Sequence, residues 1–402
     1  MDNKLIYLDN NATTKVDERV LDEMLPYFKE EYANPSSMYD FSKKSSHAIR
    51  EARAKIKDFV GASDEKEIIF TSCGSESANT AIKGVLNYNK NKKHIITTAI
   101  EHPCVLNVYK SFEKQGYKVD YIGVNSSGEL NTEELANLIK DDTALVSVMW
   151  ANNETGVINP IGEISQIIKS KNKDTKFFVD GVQAAGKIPM NVVENGVDML
   201  GISGHKFHAP KGIGALYVNS KTMITPLIIG GHQEKGKRAG TENTPYIVGM
   251  GKAAELAMDN LDYEMTEVKR LRDKLETNIL KNVYNARLNT TMQNRVPNTT
   301  NIGFEYIEGE LILVHLSDLG ICASSGSACT SGSLEPSHVL RAMNVPFTAI
   351  HGSIRWSLSR FTTEDEIDYV IEKLPSVIKK VTDISPYQNE LEELKKRRLE
   401  TV

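Results

Sequence analysis

Short apolar runs alternate with amphipathic stretches through the middle of the chain. The apolar runs predict strands at 67–71, 94–98, 118–124, 144–149, 176–179, 197–202 and 213–218. The stretches with helical spacing between them predict helices at 76–86, 105–115, 132–139 and 161–171. This alternation predicts an α/β fold with a largely parallel sheet covered on both faces. Ligands of such sheets bind at the carboxyl ends of the strands.

The pattern changes after Pro245. A long helical stretch from Tyr246 to about Leu280 is rich in Ala, Leu, Met, Glu and Lys. The remainder predicts a smaller α+β region, with strands at 301–304 and 354–357 and helices at 310–319 and 363–374. We therefore expect a large domain over 15–258 and a small domain formed by 1–14 and 259–385. The charged residues 386–402 predict a solvated helix or tail.

The composition is that of a soluble globular protein large enough for two domains. The 402 residues are 40% hydrophobic and 25% charged. A net charge of −5 and a pI near 6.1 give no indication of a nucleic-acid or membrane partner. Residues 1–11 lack the basic region and apolar core of a signal peptide, and no apolar run is long enough to span a bilayer. The four cysteines form no CxxC pair, so we expect reduced thiols, no metal site and a cytoplasmic location.

Lys206 occupies an unusual place in this pattern. It lies in the turn between the last two strands predicted for the large domain, and Asp180 ends an earlier strand, with Gln183 three residues later. A lone lysine at a turn is most often an exposed surface residue. Enzymes that use pyridoxal phosphate, however, combine a lysine that forms a Schiff base with a carboxylate that keeps the pyridine nitrogen protonated. The pair of residues therefore favours a cofactor site.

A junction of small residues offers a place for a phosphate. Residues 71–76 (Thr-Ser-Cys-Gly-Ser-Glu) join a predicted strand to a predicted helix, whose first N–H groups and dipole favour an anion. The same residues are compatible with an ordinary helix start in which Ser75 is the cap. Ser203 and His205, which flank the turn that carries Lys206, are further candidate donors.

Three polar residues follow predicted strands or lie in one. His102 precedes Pro103 at a helix start, and it is either a loop histidine bonded to the backbone or a group that stacks on a flat ring and relays a proton. Asn153 lies in an Asn-Asn-Glu sequence that forms either a turn or a cluster of hydrogen-bonding groups. Arg355 lies in a predicted strand and is either a salt-bridge partner or a grip for a substrate carboxylate.

Residues 324–333 surround a single thiol, that of Cys329, with Ser, Gly, Ala and Thr. Such a run is typical of a flexible linker. Linkers seldom carry a cysteine, because an exposed thiol is liable to oxidation. A cysteine on a loop of this kind is suited to nucleophilic attack, since even a small thiolate fraction is very reactive.

These motifs together resemble those of a cysteine desulfurase of the NifS/IscS class. The resemblance extends from residues 7–14 (YLDNNATT) to at least residue 386, and residues 147–156, 230–243 and 324–338 make it most similar to the nitrogenase-associated NifS branch. It implies a fold-type-I pyridoxal-phosphate enzyme of the class-V aminotransferase family. It also implies a mainly parallel seven-stranded sheet in the large domain and a mobile cysteine loop at 322–335 in the small one.

The resemblance implies a role for each candidate residue. Lys206 binds the cofactor covalently and moves the Cα proton of the substrate, His102 stacks on the ring and handles the thiol proton, and Cys329 takes the sulfur as a persulfide. Asp180 pairs with the ring nitrogen, and Gln183 contacts the ring hydroxyl. The resemblance also implies that the phosphate is bound by Gly74, Ser75, Ser203 and His205, together with Thr241 from the neighbouring subunit. It implies that Asn153 orients cofactor and substrate, and that Arg355 orients the substrate.

The implied activity is conversion of L-cysteine into L-alanine by a homodimer with a shared active site. An iron–sulfur scaffold protein is the implied sulfur acceptor, in nitrogenase maturation or in housekeeping cluster assembly and tRNA thiolation. Rival interpretations are a selenocysteine lyase, an aminotransferase, which has no need of Cys329, and a non-catalytic partner that keeps the fold. The intact Lys206, Asp180, His102 and Cys329 argue against the last of these.

The chain departs from the usual pattern of the family at five positions. Gly181 replaces an alanine, which is expected to loosen the turn after Asp180, and Ser75 replaces a threonine. Ala33, Tyr39 and Ser42 replace Gly, His and Gly, so substrate access or dimer contacts are expected to differ there.

Overall fold

The structure, a computed structural model, describes residues 5–325 and 335–400. Within these residues the strands are β1 (Ile6–Tyr7), β2 (Ile68–Thr71), β3 (His94–Thr98), β4 (Lys118–Ile122), β5 (Thr143–Met149), β6 (Lys176–Asp180), β7 (Met199–Ser203), β8 (Gly214–Val218), β9 (Ala286–Leu288), β10 (Thr299–Phe304), β11 (Ile321–Cys322) and β12 (Ser353–Ser357). The helices are α1 (Glu18–Met24), α2 (Pro26–Lys29), α3 (Lys43–Val60), α4 (Gly74–Tyr88), α5 (Pro103–Glu113), α6 (Thr132–Leu138), α7 (Ile161–Lys171), α8 (Thr244–Asp259), α9 (Leu261–Tyr263), α10 (Lys269–Asn282), α11 (Gly309–Ser317), α12 (His338–Ala342), α13 (Phe347–Ile350), α14 (Glu364–Asp383) and α15 (Gln388–Glu400).

Seven strands form the large sheet, in the order β2-β8-β7-β6-β5-β3-β4. Its neighbouring strands pair in parallel except at β8, which is antiparallel to both β2 and β7. Because successive side chains of a strand point to opposite faces, Phe177 and Val179 enter one buried core and Phe178 enters another. The predicted α/β fold, with a mainly parallel seven-stranded sheet covered on both faces, is confirmed.

A separate core belongs to the smaller strands. β9, β10 and β12 form an antiparallel sheet, and β1 pairs in parallel with β11. These strands pack on α10, α11 and α14 around the fully buried Trp356. The strands and helices predicted after residue 300 are therefore present, whereas the domain boundaries at 15–258 and 259–385 stay predictions.

The predicted single helical stretch from Tyr246 to Leu280 is interrupted. α8 ends at Asp259, where the side-chain amide of Asn260 donates to the carbonyl oxygen of Leu256 at 2.7 Å. A π-helical turn at Glu264–Val268 then leads into α10. α8 packs on α3 in the large core and α10 on α14 in the small core, so the interruption lies where the chain passes from one core to the other.

One helix was absent from the sequence-based expectation, and another, α15, takes one of the two expected forms. The 18-residue α3 was not predicted, and its buried face includes the small Ala48 and Ala52 among many charged neighbours. The C-terminal residues, expected as a solvated helix or tail, form α15, which buries Leu391 and places the guanidinium of Arg398 against backbone carbonyls at the end of α10. Over the described residues, no helix combines the length and apolar character needed to cross a membrane.

The reversed direction of β8 decides what lies at the carboxyl edge of the large sheet. Ser203, the last residue of β7, is paired with Gly214, the first residue of β8. The short connection between them, residues 204–213, therefore stays at the edge where β5, β6 and β7 end. This connection carries Lys206.

Candidate active site

A cavity of about 380 Å³ opens at the carboxyl ends of β5, β6 and β7. Its walls come from these strand ends, from the first turn of α4, from residues 11 and 12 and from β12. Ten of the residues predicted from the sequence line it: Gly74, Ser75, His102, Asn153, Asp180, Gln183, Ser203, His205, Lys206 and Arg355.

Lys206 ends a single 3-10 turn that directly follows β7. Its Nζ donates hydrogen bonds to the carbonyl oxygens of Asn11, at 2.7 Å, and Ala12, at 2.8 Å. These contacts hold the amine at the cavity wall, so the predicted lysine at a strand-end turn faces a pocket.

The carboxylate of Asp180 ends β6 and is buried. Its Oδ1 accepts a hydrogen bond from the N–H of Val182 at 3.0 Å, and its Oδ2 lies 4.0 Å from the thiol sulfur of Cys104. Burial raises the pKa of Asp180, while the nearby His102 and Lys206 oppose that change. A cationic group placed against Asp180 from the cavity would offset the desolvation of its charge.

His102 bonds to the backbone at the cavity, and its role in ring stacking and proton relay stays a prediction. It caps α5, where its Nδ1 accepts a hydrogen bond from the N–H of Cys104 at 3.2 Å, and its ring also lines the cavity. With Nδ1 as acceptor, the neutral ring carries its proton on Nε2. Burial lowers the pKa of His102, against the opposing effect of Asp180, which favours this neutral form.

The first turn of α4 is suited to an anion. The helix begins at Gly74 after Cys73, and no side chain caps it, so Ser75 lies inside the first turn and is not the cap. A Cβ on Gly74 would come within 2.8 Å of the Val182 side chain, so a larger residue would crowd this turn. The free N–H groups of the turn therefore face the cavity without competition from a capping side chain.

Ser203 and His205 complete this end of the cavity. The Oγ of Ser203 is buried and has no hydrogen-bond partner within the described residues. The Nδ1 of His205 lies 3.1 Å from the Oγ1 of Thr13. Burial, reinforced by Lys206, lowers the pKa of His205 to about 4, so its ring is neutral near pH 7. A buried hydroxyl without a partner is costly unless a ligand supplies one, and a phosphate oxygen would do so.

Arg355 and Asn153 form the opposite end. Arg355 is both a salt-bridge partner and a cavity residue: its Nη2 lies 2.6 Å from Oδ1 of Asp9, and its Nη1 donates to the carbonyl oxygen of Asn153 at 3.0 Å. The Nε of Arg355 and the Oδ1 of Asn153 are buried without a partner over the ranges that the structure describes. The Nε of Arg355 can therefore donate to a ligand carboxylate, and the Oδ1 of Asn153 can accept from a donor on the same ligand.

Two anchors lie on either side of the undescribed residues 326–334. Ser324 pairs through its backbone with Arg355 in β12, at 3.2 and 2.6 Å. The Oγ of Ser337 donates to Oε2 of Glu154 at 2.6 Å and accepts from the first N–H groups of α12. Burial raises the pKa of Glu154 to about 7, against the hydrogen bond from Ser337. Ser324 and Ser337 are therefore both held beside the end of the cavity that Arg355 and Asn153 form.

Two predicted residues are not among the described residues that line this cavity. Cys329 lies outside the described residues. Thr241 is described, but it is exposed and does not line the cavity, so its contribution to a neighbouring subunit stays a prediction. Of the other thiols, Cys73 and Cys104 line the cavity and are only partly buried.

Sequence reasoning missed Asn11, the most connected residue of the site. Its carbonyl oxygen accepts from Lys206 and from the side chain of Gln183, and its Oδ1 accepts from Lys187 at 3.1 Å and from Asn298. Its Nδ2 donates to Thr299 and Asn153. The signal that could have found it is the pair of amides that follows a short apolar strand in YLDNNATT.

The structure shows the surroundings of two departures from the family pattern, Gly181 and Ser42. A Cβ on Gly181 would lie 2.6 Å from the Leu200 side chain, so Leu200 fills the space that an alanine methyl would take. Ser42 bonds to the backbone of Ser37 and Tyr39 within its own segment.

Across the part of the chain that the structure describes, no group of three His, Cys, Asp or Glu side chains is arranged to hold a metal ion.

Comparison with known proteins agrees with this geometry. Residues 6–370 match the family described as aminotransferase class-V. The chain is 55% identical over 386 residues to a cysteine desulfurase from Nostoc sp., covering 96% of each chain. It is 50% identical over 382 residues to the cysteine desulfurase NifS from Azotobacter vinelandii, covering 95% of this chain and 94% of the relative. A solved structure of a NifS-like protein superposes with a TM-score of 0.88 at 40% identity, covering 93% of this chain and 99% of the other.

Proposed function

The chain belongs to the class-V aminotransferase family and, within it, to the cysteine desulfurases, and from this premise we propose how its residues carry out the reaction. The proposed cofactor is pyridoxal 5'-phosphate, and the proposed substrate is L-cysteine. When bound, the cofactor supplies an electron sink for the carbon that loses a proton. The single observation that carries the proposal is the convergence of ten predicted residues on one cavity, with the amine of Lys206 held at its wall.

The cofactor would bind at the strand ends. Its phosphate fits the first turn of α4 and the unpartnered hydroxyl of Ser203, because both offer donors that nothing in the described chain uses. Its protonated ring nitrogen fits the buried carboxylate of Asp180, which forms no ion pair with any described residue. The residues proposed to hold it are Gly74, Ser75, His102, Asn153, Asp180, Gln183, Ser203, His205, Lys206 and, from a neighbouring subunit, Thr241.

The substrate would bind at the Arg355 end. The guanidinium of Arg355 grips the carboxylate of cysteine, and Asn153 orients both cofactor and substrate. Lys206 takes the proton from the Cα of the substrate, since backbone carbonyls of Asn11 and Ala12 hold its amine at the cavity wall. His102 handles the thiol proton of the substrate through Nε2.

Sulfur transfer completes the proposed reaction. The thiolate of Cys329 attacks the substrate sulfur, so that an S–S bond forms while the C–S bond breaks. The electron pair of the C–S bond stays on the substrate carbon, which is protonated to give alanine. Cys329 is left as a persulfide, and the sulfur passes to an acceptor. Ser324 and Ser337, which flank this segment in sequence, are anchored beside Arg355 and Asn153.

The thiols provide the test. We expect Cys329→Ser to bind cysteine but to release neither alanine nor persulfide at a useful rate. Cys73→Ala, Cys104→Ala and Cys322→Ala serve as controls, because the first two lie at the cavity and the third does not. Alanine production and the position of the trapped persulfide are measured for all four variants. A fully active Cys329→Ser protein whose persulfide maps to another cysteine would refute the proposal.

We further propose a cytoplasmic homodimer that passes sulfur to an iron–sulfur scaffold protein, in nitrogenase maturation or in housekeeping assembly. The exposed position of Thr241 supports a role in the neighbouring subunit. Mixed dimers of Lys206→Ala and Thr241→Ala chains test this. If the site is shared, one site in each mixed dimer keeps both residues and activity returns. If Thr241 serves its own chain, both sites remain defective.

A further inference from the structure

A second lysine, Lys187, lies buried behind the cavity, with 5% of its surface exposed. Its Nζ lies 2.5 Å from Oε1 of Gln183, four residues earlier, and 3.1 Å from Oδ1 of Asn11. No carboxylate of the described residues lies within ion-pair distance of it, and Glu264 only shares the small polar cavity that also borders Lys206. A buried ammonium without an ion pair is costly, so its retention calls for a reason beyond packing.

Lys187 fixes the orientation of the Gln183 side chain. The Oε1 of Gln183 accepts from Lys187, and its Nε2 donates to the carbonyl oxygen of Asn11 at 3.0 Å. An ammonium only donates and a backbone carbonyl only accepts. Turning the amide over would therefore place donor against donor and acceptor against acceptor. The amide can then offer the cavity the second N–H of its Nε2, while one lone pair also remains on Oε1 beside Lys187.

We propose that Lys187 is a positioning residue that holds Gln183 as a donor toward the cavity, polarises its amide, and so favours the deprotonated form of the cofactor's ring hydroxyl. This inference rests on the proposed function, because it takes Gln183 as the partner of that hydroxyl. The positive charge strengthens the N–H as a donor, since hydrogen bonds in a chain polarise one another. The negative ring oxygen in turn offsets the buried charge through the amide.

The electrostatics of the pocket agree with this role. Burial lowers the pKa of Lys187 to about 7, with further lowering by Lys206 and Arg355 and an opposing contribution from Glu264. An anionic oxygen bound beyond Gln183 would keep the ammonium charged. A methionine would fill nearly the same volume without this charge, so stability alone does not explain the lysine.

The first measurement follows absorbance against pH in the cofactor-loaded Lys187→Met protein. Removing the oriented donor destabilises the deprotonated ring oxygen, so the midpoint should rise by about one pH unit. The dissociation constant of pyridoxal phosphate from the apoprotein should rise about 10-fold. Lys169→Met is the matched control, because Lys169 bonds to Asp198 and Thr175 at the opposite edge of the sheet, and it should change neither quantity.

A double-mutant cycle separates positioning through Gln183 from a direct effect of charge. In a Gln183→Met background, Lys187→Met should add nothing to either shift. Additive shifts, or a midpoint that Lys187→Met leaves unchanged, would overturn the inference. If Lys187→Met does not fold, Lys187→Gln, which keeps a donor but no charge, should raise the midpoint by a smaller amount, and no rise would again overturn it.

The same samples distinguish this inference from the proposed function. Borohydride reduction followed by peptide mapping reports whether wild-type protein forms an adduct at Lys206. An adduct at Lys206 without any shift in the Lys187 variants refutes only the positioning role. Absence of the adduct in both wild type and Lys169→Met refutes the proposed function itself.

Discussion

The two walls of the cavity are built in opposite ways. The sheet wall, at the ends of β6 and β7 and the start of α4, presents polar groups with few partners. Among the residues that the structure describes, the hydroxyl of Ser203 has none, and the carboxylate of Asp180 accepts one backbone N–H. The segment wall, residues 11 and 12, is saturated with hydrogen bonds, because Asn11 bonds to the side chains of Gln183 and Lys187 after β6 and of Thr299 in β10. Unsatisfied buried groups call for a ligand, whereas satisfied ones hold their neighbours in place.

The largest effect is expected at the point where the two walls meet. Lys206→Ala removes the amine that the segment wall holds at the sheet wall, so alanine formation should fall by at least about 10³-fold. The borohydride-reducible adduct should disappear with it. Lys211→Ala, an exposed residue of the same β7–β8 connection, is the control and should keep near-normal activity. Wild-type turnover in Lys206→Ala would remove this lysine from the mechanism.

The next effect concerns substrate binding. Arg355→Ala should weaken cysteine binding by about 2–5 kcal/mol, because a buried charge pair loses one partner. The steady-state KM for cysteine and its spectral binding constant measure the change. Asp9→Asn is the control, since it removes the ion pair at 2.6 Å but keeps the guanidinium, and its binding should change far less. An unchanged KM in Arg355→Ala contradicts the assigned carboxylate role.

A substitution in the segment wall should lower the stability of the protein. Asn11→Ala leaves the buried Lys187 and Asn298 without one acceptor each, which should lower the free energy of unfolding by about 3 kcal/mol. Urea unfolding of the apoprotein measures it. Asn87→Ala on the exposed side of α4 should stay within about 0.5 kcal/mol of wild type. Equal stabilities for the two variants would show that the saturated wall does not act as a scaffold.

The smallest expected effect is a contrast, within one variant, between the stability of the apoprotein and the binding of the cofactor. Ser203→Ala should leave the stability of the apoprotein unchanged or raise it by about 1 kcal/mol, because it removes a buried hydroxyl that has no partner in the described part of the chain. It should still weaken pyridoxal-phosphate binding about 10-fold. Ser147→Ala is the matched control: it leaves the buried hydroxyl of Tyr109 unpaired, so it should destabilise without touching the cofactor. A destabilised Ser203→Ala apoprotein would contradict the distinction between the walls.

The sequence predicted the sheet wall and not the segment wall, for a physical reason. Buried strands have a strong local pattern, so Asp180, Ser203 and Lys206 could be assigned to strand ends from nearby residues alone. Asn11 and Lys187 acquire their places through contacts with distant residues, as in the bond between the Asn11 N–H and Ser357 Oγ. The roles of the individual residues remain predictions that the experiments above test.

The errors in the elements have a different origin. α3 was missed although its buried positions, 45, 48, 49, 52, 56, 59 and 60, recur at helical spacing, so the pattern was present in the sequence. The interruption at Asn260 was missed because helix propensity continues through it, while packing on two different cores breaks it.

The bond from Asn11 to Ser357 also sets a time order for the site. Its two partners are 346 residues apart in the chain, and a ribosome adds about 5–20 residues per second. The large sheet can be complete while the segment that seats the amine of Lys206 still lacks its partner strand. During synthesis, the pocket is therefore among the last parts of the molecule to form. A nascent chain released early would contain Lys206 without the ordered segment that holds its amine.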